Sequence, residues 1–133
     1  MKYLIDTNIW LELLLEQDKA GEVSSFLRKV SASSLAITDF TLYSIGIILT
    51  RLKKFDAFVE FLTDTIADDS VRRICLNHTG LIEITSAQKQ FALDFDDAYQ
   101  YVAATANGLT LVSYDHDFDK TPLPRKTPAE LIP

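Results

Sequence analysis

The chain has 133 residues, 47% of them apolar and 11% aromatic, which suits one globular domain with a full-sized core. Its formal charge of −6 and pI near 4.8 exclude a protein that grips nucleic acid through a broad basic field. Any phosphate chemistry therefore requires imported positive charge.

Residues 2–5 (KYLI) are short, apolar and β-compatible, and Asp6-Thr7-Asn8 supplies turn and cap residues before the helical run IWLELLLEQ at 9–17. Asp6 interrupts the opening too early for a signal sequence, and no apolar run approaches a membrane span, so a cytoplasmic chain with no membrane contact is expected. Residues 19–31 continue as a second helix, and 35–37 (LAI) form a second strand ending in the cap-type residues Thr38 and Asp39. From Phe40 the segment to residue 54 is apolar nearly all round and predicts a buried helix despite Gly46. Residues 54–69 place Phe55, Phe58, Val59, Leu62 and Ile66 at helical spacing, an amphipathic helix packed on the core. Residues 71–84 are ambiguous, with LIEI (81–84) read as a strand and 85–93 as a helix. Cys75 is alone, which excludes an internal disulfide, and its apolar context reads as inert packing. DDAYQYVAATANG (96–108) is a helix with acids at its start and Gly108 as its C-terminal cap, and TLVS (110–113) is the clearest late strand. Without a linker, repeat or low-complexity tract, residues 1–133 read as a single domain.

Strands alternating with helices predict a parallel, doubly wound α/β sheet. In such a sheet, residues just past a strand and residues opening a helix share the carboxyl edge, where ligands bind. Asp6, Asp39, Asp97 and Asp115 are all expected on that rim. No Lys or Arg lies between Lys89 and Lys120 to neutralise them. Two like charges about 4 Å apart repel by roughly 4 kcal/mol at an effective dielectric near 20. Helix N-termini return only ~0.3 to 1 kcal/mol each. A divalent cation is the remaining compensation, and an oxygen-only set lacking His and Cys matches Mg²⁺ or Mn²⁺. Taken singly, Asp39 reads as a helix cap, Asp96, Asp117 and Asp119 as solvated loop acids, and His116 as the partner of a neighbouring carboxylate.

IDTNIW, DDAYQYVAATANG and LVSYDHDF together resemble the PIN-domain nucleases, particularly the toxins of VapBC toxin-antitoxin pairs, and the resemblance runs through the closing KTPAELI. It implies a three-layer α/β/α sandwich around a parallel sheet, Mg²⁺- or Mn²⁺-dependent cleavage of RNA to 5′-phosphate and 3′-hydroxyl ends, homodimers, and an inhibitory antitoxin protein. Mapped by motif, Asp6, Asp97 and Asp115 match three metal-binding acids, and Thr7 and Asn8 match the polar pair beside the first, with Asn8 expected to orient Asp6. One family position departs. Where the helix after the second strand usually carries Glu, TLYSI places Ser44, which is too short to replace a metal-bound carboxylate; Asp39, five residues earlier, is the candidate substitute.

The expected chemistry is phosphodiester hydrolysis at Asp6, Asp97 and Asp115, with Thr7 and Ser113 positioning water or phosphate and Asp117 and Asp119 as auxiliaries. Arg51, Lys53 and Lys54, or Arg125 and Lys126, are candidate RNA-backbone contacts. The rival reading is a PIN scaffold that binds RNA or protein after losing catalysis, with Ser44 as its mark. An aspartyl phosphatase needs a second acid two residues after the first, where this chain has Asn8. The unusually apolar first helix, with Trp10, Leu13 and Leu14, is expected to line an antitoxin groove or a dimer interface as readily as the core.

Overall fold

A computed structural model describes residues 1–67 and 70–132. Its five strands are β1 (Tyr3–Ile5), β2 (Leu35–Thr38), β3 (Arg72–Ile74), β4 (Thr110–Val112) and β5 (Arg125–Lys126). They form one parallel sheet in the order β3-β2-β1-β4-β5. The chain steps outward from β1 to β3, then returns across the sheet to β4, so the order reverses between β1 and β4. That reversal opens a crevice at the carboxyl edge between the two central strands.

The helices are α1 (Thr7–Leu14), α2 (Ala20–Lys29), α3 (Asp39–Arg51), α4 (Phe55–Thr65), α5 (His78–Phe91), α6 (Phe95–Ala106) and the short α7 (Pro128–Leu131). Strand alternation sorts them into two layers. Ile5, Leu35, Ile37 and Val112 face a core shared with α1 to α4, through Ile9, Val23, Phe26, Ile45, Leu49 and Phe61. Leu4, Ala36 and Leu111 point the other way, onto Ala103 and Ala104 of α6. The result is the three-layer α/β/α sandwich around a parallel sheet. No helix among the described residues is long and apolar enough to cross a membrane.

Several elements depart from the sequence reading. LIEI lies inside α5, whose N-terminus is capped by the Asn77 side chain accepting from Gly80 N at 2.9 Å. The strand instead falls at Arg72–Ile74, an edge strand with two exposed arginines, a composition that suppresses edge pairing but hides the β signal. Cys75, just past that edge, is exposed rather than packed. Helix α1 stops at Leu14 because Glu16 takes a positive φ of 51°. Helix α3 is not buried all round, since Tyr43 and Ile47 stand in solvent. On α4, Phe58, Leu62 and Ile66 pack against the core as expected, but the most buried positions are Phe61 and Thr65, while Phe55 and Val59 are exposed. Asp68 and Asp69, the last two residues of its expected span, lie outside the described residues. Helix α6 ends as expected, with Gly108 in the left-handed region at φ 63°.

Candidate metal centre

Asp6 directly follows β1, and its side chain caps α1 by accepting Thr7 N at 2.8 Å. It does more than cap. Its Oδ1 also accepts from Gln100 Nε2 at 2.9 Å, while Oδ2 accepts from Ser113 Oγ at 2.7 Å and Asn8 Nδ2 at 3.2 Å. Asn8 thus orients Asp6 as its position implied. The same Asn8 accepts from Tyr114 N at 3.1 Å through its Oδ1, joining the start of α1 to the end of β4. Burial pushes the Asp6 carboxyl up from its ordinary range, and the hydrogen bonds from Gln100, Ser113 and Thr7 pull back against that rise.

Gln100 carries no sequence motif, yet it is the hub beneath Asp6. It is 1% exposed, its amide also donates to Thr41 Oγ1 at 2.9 Å, and its Oε1 accepts from Thr38 Oγ1 at 2.8 Å. The Thr41 and Thr7 hydroxyls close the network at 2.9 Å. A polar floor therefore runs from β1 to α3 and α6. The one available signal was a glutamine three residues after Asp97, on the face of α6 that is otherwise apolar.

Asp97 sits in the first turn of α6, where the helix N-terminus favours a negative charge, and is 9% exposed. That benefit is overridden. Burial first, then the carboxylates of Asp115, Asp96 and Asp6, raise its pKa to about 7. Asp115 lies beyond β4 and caps the 3-10 turn His116–Lys120, its Oδ1 accepting Asp117 N at 2.8 Å. Its own N–H donates to Ser113 Oγ at 3.0 Å, so Ser113 links the Asp6 and Asp115 supports.

Asp6, Asp97 and Asp115 line one cavity of about 300 Å³, with Leu11, Phe40 and Ile48 as its apolar wall. Ser44 lines it from α3, at the position where the family pattern has Glu. Within this cluster, Asp97, Asp115 and Asp117 each offer one carboxylate oxygen, and the three oxygens lie within 4.8 Å of one another. An all-oxygen set in which burial and then the neighbouring carboxylates raise the Asp97 pKa to about 7 fits a hard divalent cation such as Mg²⁺ or Mn²⁺.

Two auxiliaries face elsewhere. Asp39 is turned toward β3, where Arg73 Nε donates to it, so it does not stand in for the missing Glu. The cation that claims it lies on the strand the sequence concealed. Asp119 is engaged by Arg125 through paired hydrogen bonds of 2.9 Å, which hold its carboxyl below the ordinary range. Arg125, 11% exposed at its side chain, is accordingly committed within the chain rather than offered to a phosphate. Arg51 closes α3 and Lys53 and Lys54 follow it; α3 is a 13-residue helix, which sets them about 18 Å from the rim where that helix starts.

Residues 3–123 match the family model of the PIN domain. No curated protein matches the chain in sequence. Among solved structures, FitAcB from Neisseria gonorrhoeae superposes with a TM-score of 0.78 at 21% identity, covering 97% of this chain and 99% of that one. A toxin-antitoxin complex from Klebsiella pneumoniae gives 0.77 at 19% identity, covering 96% and 98%. VapC20 of Mycobacterium tuberculosis, a sarcin-ricin loop cleaving toxin, gives 0.79 at 15% identity, covering 92% and 96%. At such identities these structures share the fold, and the family model spans nearly all of the sequence: the chain belongs to the PIN-domain family.

Proposed function

We propose that this chain is a divalent-metal-dependent ribonuclease that hydrolyses RNA phosphodiester bonds as the toxin of a toxin-antitoxin pair. One observation carries the reading: in a PIN domain, Asp6, Asp97 and Asp115 converge on a single cavity at the sheet's reversal point. Asp97 and Asp115 would hold Mg²⁺ or Mn²⁺, with Asp117 beside them and the Asp6 charge behind. Such an ion, when bound, lowers the pKa of a coordinated water and offsets charge developing on the phosphate.

The chain's own residues hold that arrangement in place. Four donors fix the Asp6 carboxylate, and Ser113 ties it to the Asp115 loop. Leu11, Phe40 and Ile48 exclude water from one wall, which strengthens the field of the acids inside. For the partner, the relevant surface is a second, largely apolar hollow of about 480 Å³ between α1, α2 and α4. Trp10, Leu14, Leu27 and Phe61 line it with Glu60 and Asp64, and the buried Trp10 Nε1 has no hydrogen-bond partner among the described residues. A helical antitoxin segment with apolar and basic side chains suits that lining. Exposed Tyr43, Ile47 and Val59 supply apolar surface for the homodimer.

Incubation with structured RNAs and Mn²⁺ tests the activity. Cleavage to 5′-phosphate and 3′-hydroxyl ends is expected, abolished in Asp97→Asn; no cleavage, or cleavage surviving Asp6→Asn and Asp97→Asn, refutes it. Ser44 in the cavity wall favours a second reading, a PIN-fold module that binds RNA or protein without cutting. Calorimetry showing no uptake of Mg²⁺ or Mn²⁺ at millimolar concentration would select that alternative.

A further inference from the structure

The segment from Ser113 to Asp119 carries both Asp115 and Asp117, and its two ends are tied to one side chain. Arg125, at the start of β5, donates from Nη1 to the Ser113 carbonyl at 3.0 Å. Its Nε and Nη2 donate to Asp119 Oδ1 and Oδ2, each at 2.9 Å. The guanidinium fork thus spans the first and last residues of the segment, and His116 Nδ1 lies 3.2 Å from Nη2. Its base is firm. Strand β5 is hydrogen-bonded along β4, with Leu111 N to Pro124 O at 2.9 Å and Ser113 N to Lys126 O at 3.0 Å. The facing acid, Asp97, stands on α6, whose buried Ala98, Val102 and Ala103 seat it in the core. On the loop side, the buried Phe118 and the Tyr114 N–H donating to Asn8 Oδ1 at 3.1 Å anchor the middle of the segment, and Arg125 is the side chain that ties its two ends together.

We propose that Arg125 is a positioning residue: its fork clamps the Ser113–Asp119 segment so that Asp115 and Asp117 are presented to Asp97 as one preformed oxygen cluster. Planarity is the operative property, because a guanidinium makes a bidentate pair with Asp119 while a third N–H holds the Ser113 carbonyl. A lysine ammonium keeps the charge but lacks that fixed fork. The clamp itself is a property of the bare chain; its consequence for metal rests on the nuclease reading above.

The test uses the full chain carrying Arg125→Lys, Arg125→Met or, on the exposed side of the pair, Asp119→Asn, which keeps the experiment decisive if Arg125→Met fails to fold. In metal-free protein, amide exchange at Asp115 and Asp117 followed by NMR is expected to accelerate by about tenfold or more in all folded variants, while α5 amides keep their rates. In Mn²⁺ titrations followed by electron paramagnetic resonance, affinity is expected to fall about 10- to 100-fold, the usual loss when support for a ligand is removed. Arg125→Lys should rescue neither readout. Unchanged exchange at Asp115 and Asp117 overturns the clamp, as does full rescue by lysine. So does a pattern in which only the KM for RNA rises, which would assign Arg125 to phosphate contact. If the wild-type chain takes up no Mn²⁺, the metal reading fails, and the exchange rates still decide the clamp.

Discussion

Asp97 and Asp6 show how two buried carboxylates are treated differently. Asp6 meets four donors, whereas Asp97 faces Asp115, Asp96 and Asp6 and is pushed from 3.8 to about 7. A folded-state pKa above the unfolded one means the folded chain binds the extra proton. Asp97's contribution to stability is therefore full below the unfolded pKa and is lost as pH rises through about 7. The Tm of the metal-free protein should fall from about pH 5 to about pH 8, and Asp97→Asn should flatten that slope. Thermal melts in EDTA at several pH values decide it; a wild-type slope no steeper than the mutant's contradicts the electrostatics. Gln100 makes a second prediction at this scale. Gln100→Leu strips a donor from Asp6 and leaves the Thr38 and Thr41 hydroxyls short of partners, which should cost about 1 to 3 kcal/mol in urea unfolding. Gln100→Glu should cost more, since it places a second carboxylate against Asp6.

At the scale of elements, the pairing of α3 with α4 turns on one small residue. A Cβ on Gly46 would meet Phe58 Cζ at 3.0 Å, so glycine lets the ring close over α3. Gly46→Leu should therefore lower stability by about 1 to 3 kcal/mol through overpacking, measured by denaturant titration, with its m-value unchanged. The same scale shows what the sequence could declare. β1 and β4 were legible because apolar runs end in acids, and α6 because its acids and Gly108 mark both ends. β3 and β5 were hidden because short edge strands opening on Arg, with Ile74 their one apolar residue, present no apolar alternation. That blindness carried into the site. Without β3 there was no visible partner for Asp39, and without β5 there was no reason to take Arg125 from the surface and attach it to Asp119. Gln100 escaped for another reason, since its role depends on the crossing of α6 beneath β1, which no local pattern encodes.

For the molecule as a whole, the charge of −6 and the location of Arg51, Lys53 and Lys54 at the far end of α3 give RNA little direct attraction at the cavity. Retention of RNA on a filter should rise on adding Mn²⁺ to the Asp97-containing chain and return to baseline in EDTA. It should also show a shallow salt dependence, because few phosphates are neutralised by side chains. Equal retention with and without Mn²⁺ would argue against a cation bridging the two. The two hollows sit on different faces of α1: Leu11 borders the acids, whereas Trp10 and Leu14 border the apolar one. Trp10 is the sole tryptophan, edge-on to Phe61 at 5.3 Å. The protein thus carries its own optical gauge. A peptide seating in the apolar hollow should shift the emission of that single indole, while an ion entering among the acids should leave it dark to the change, so one fluorometer separates the two events without any label.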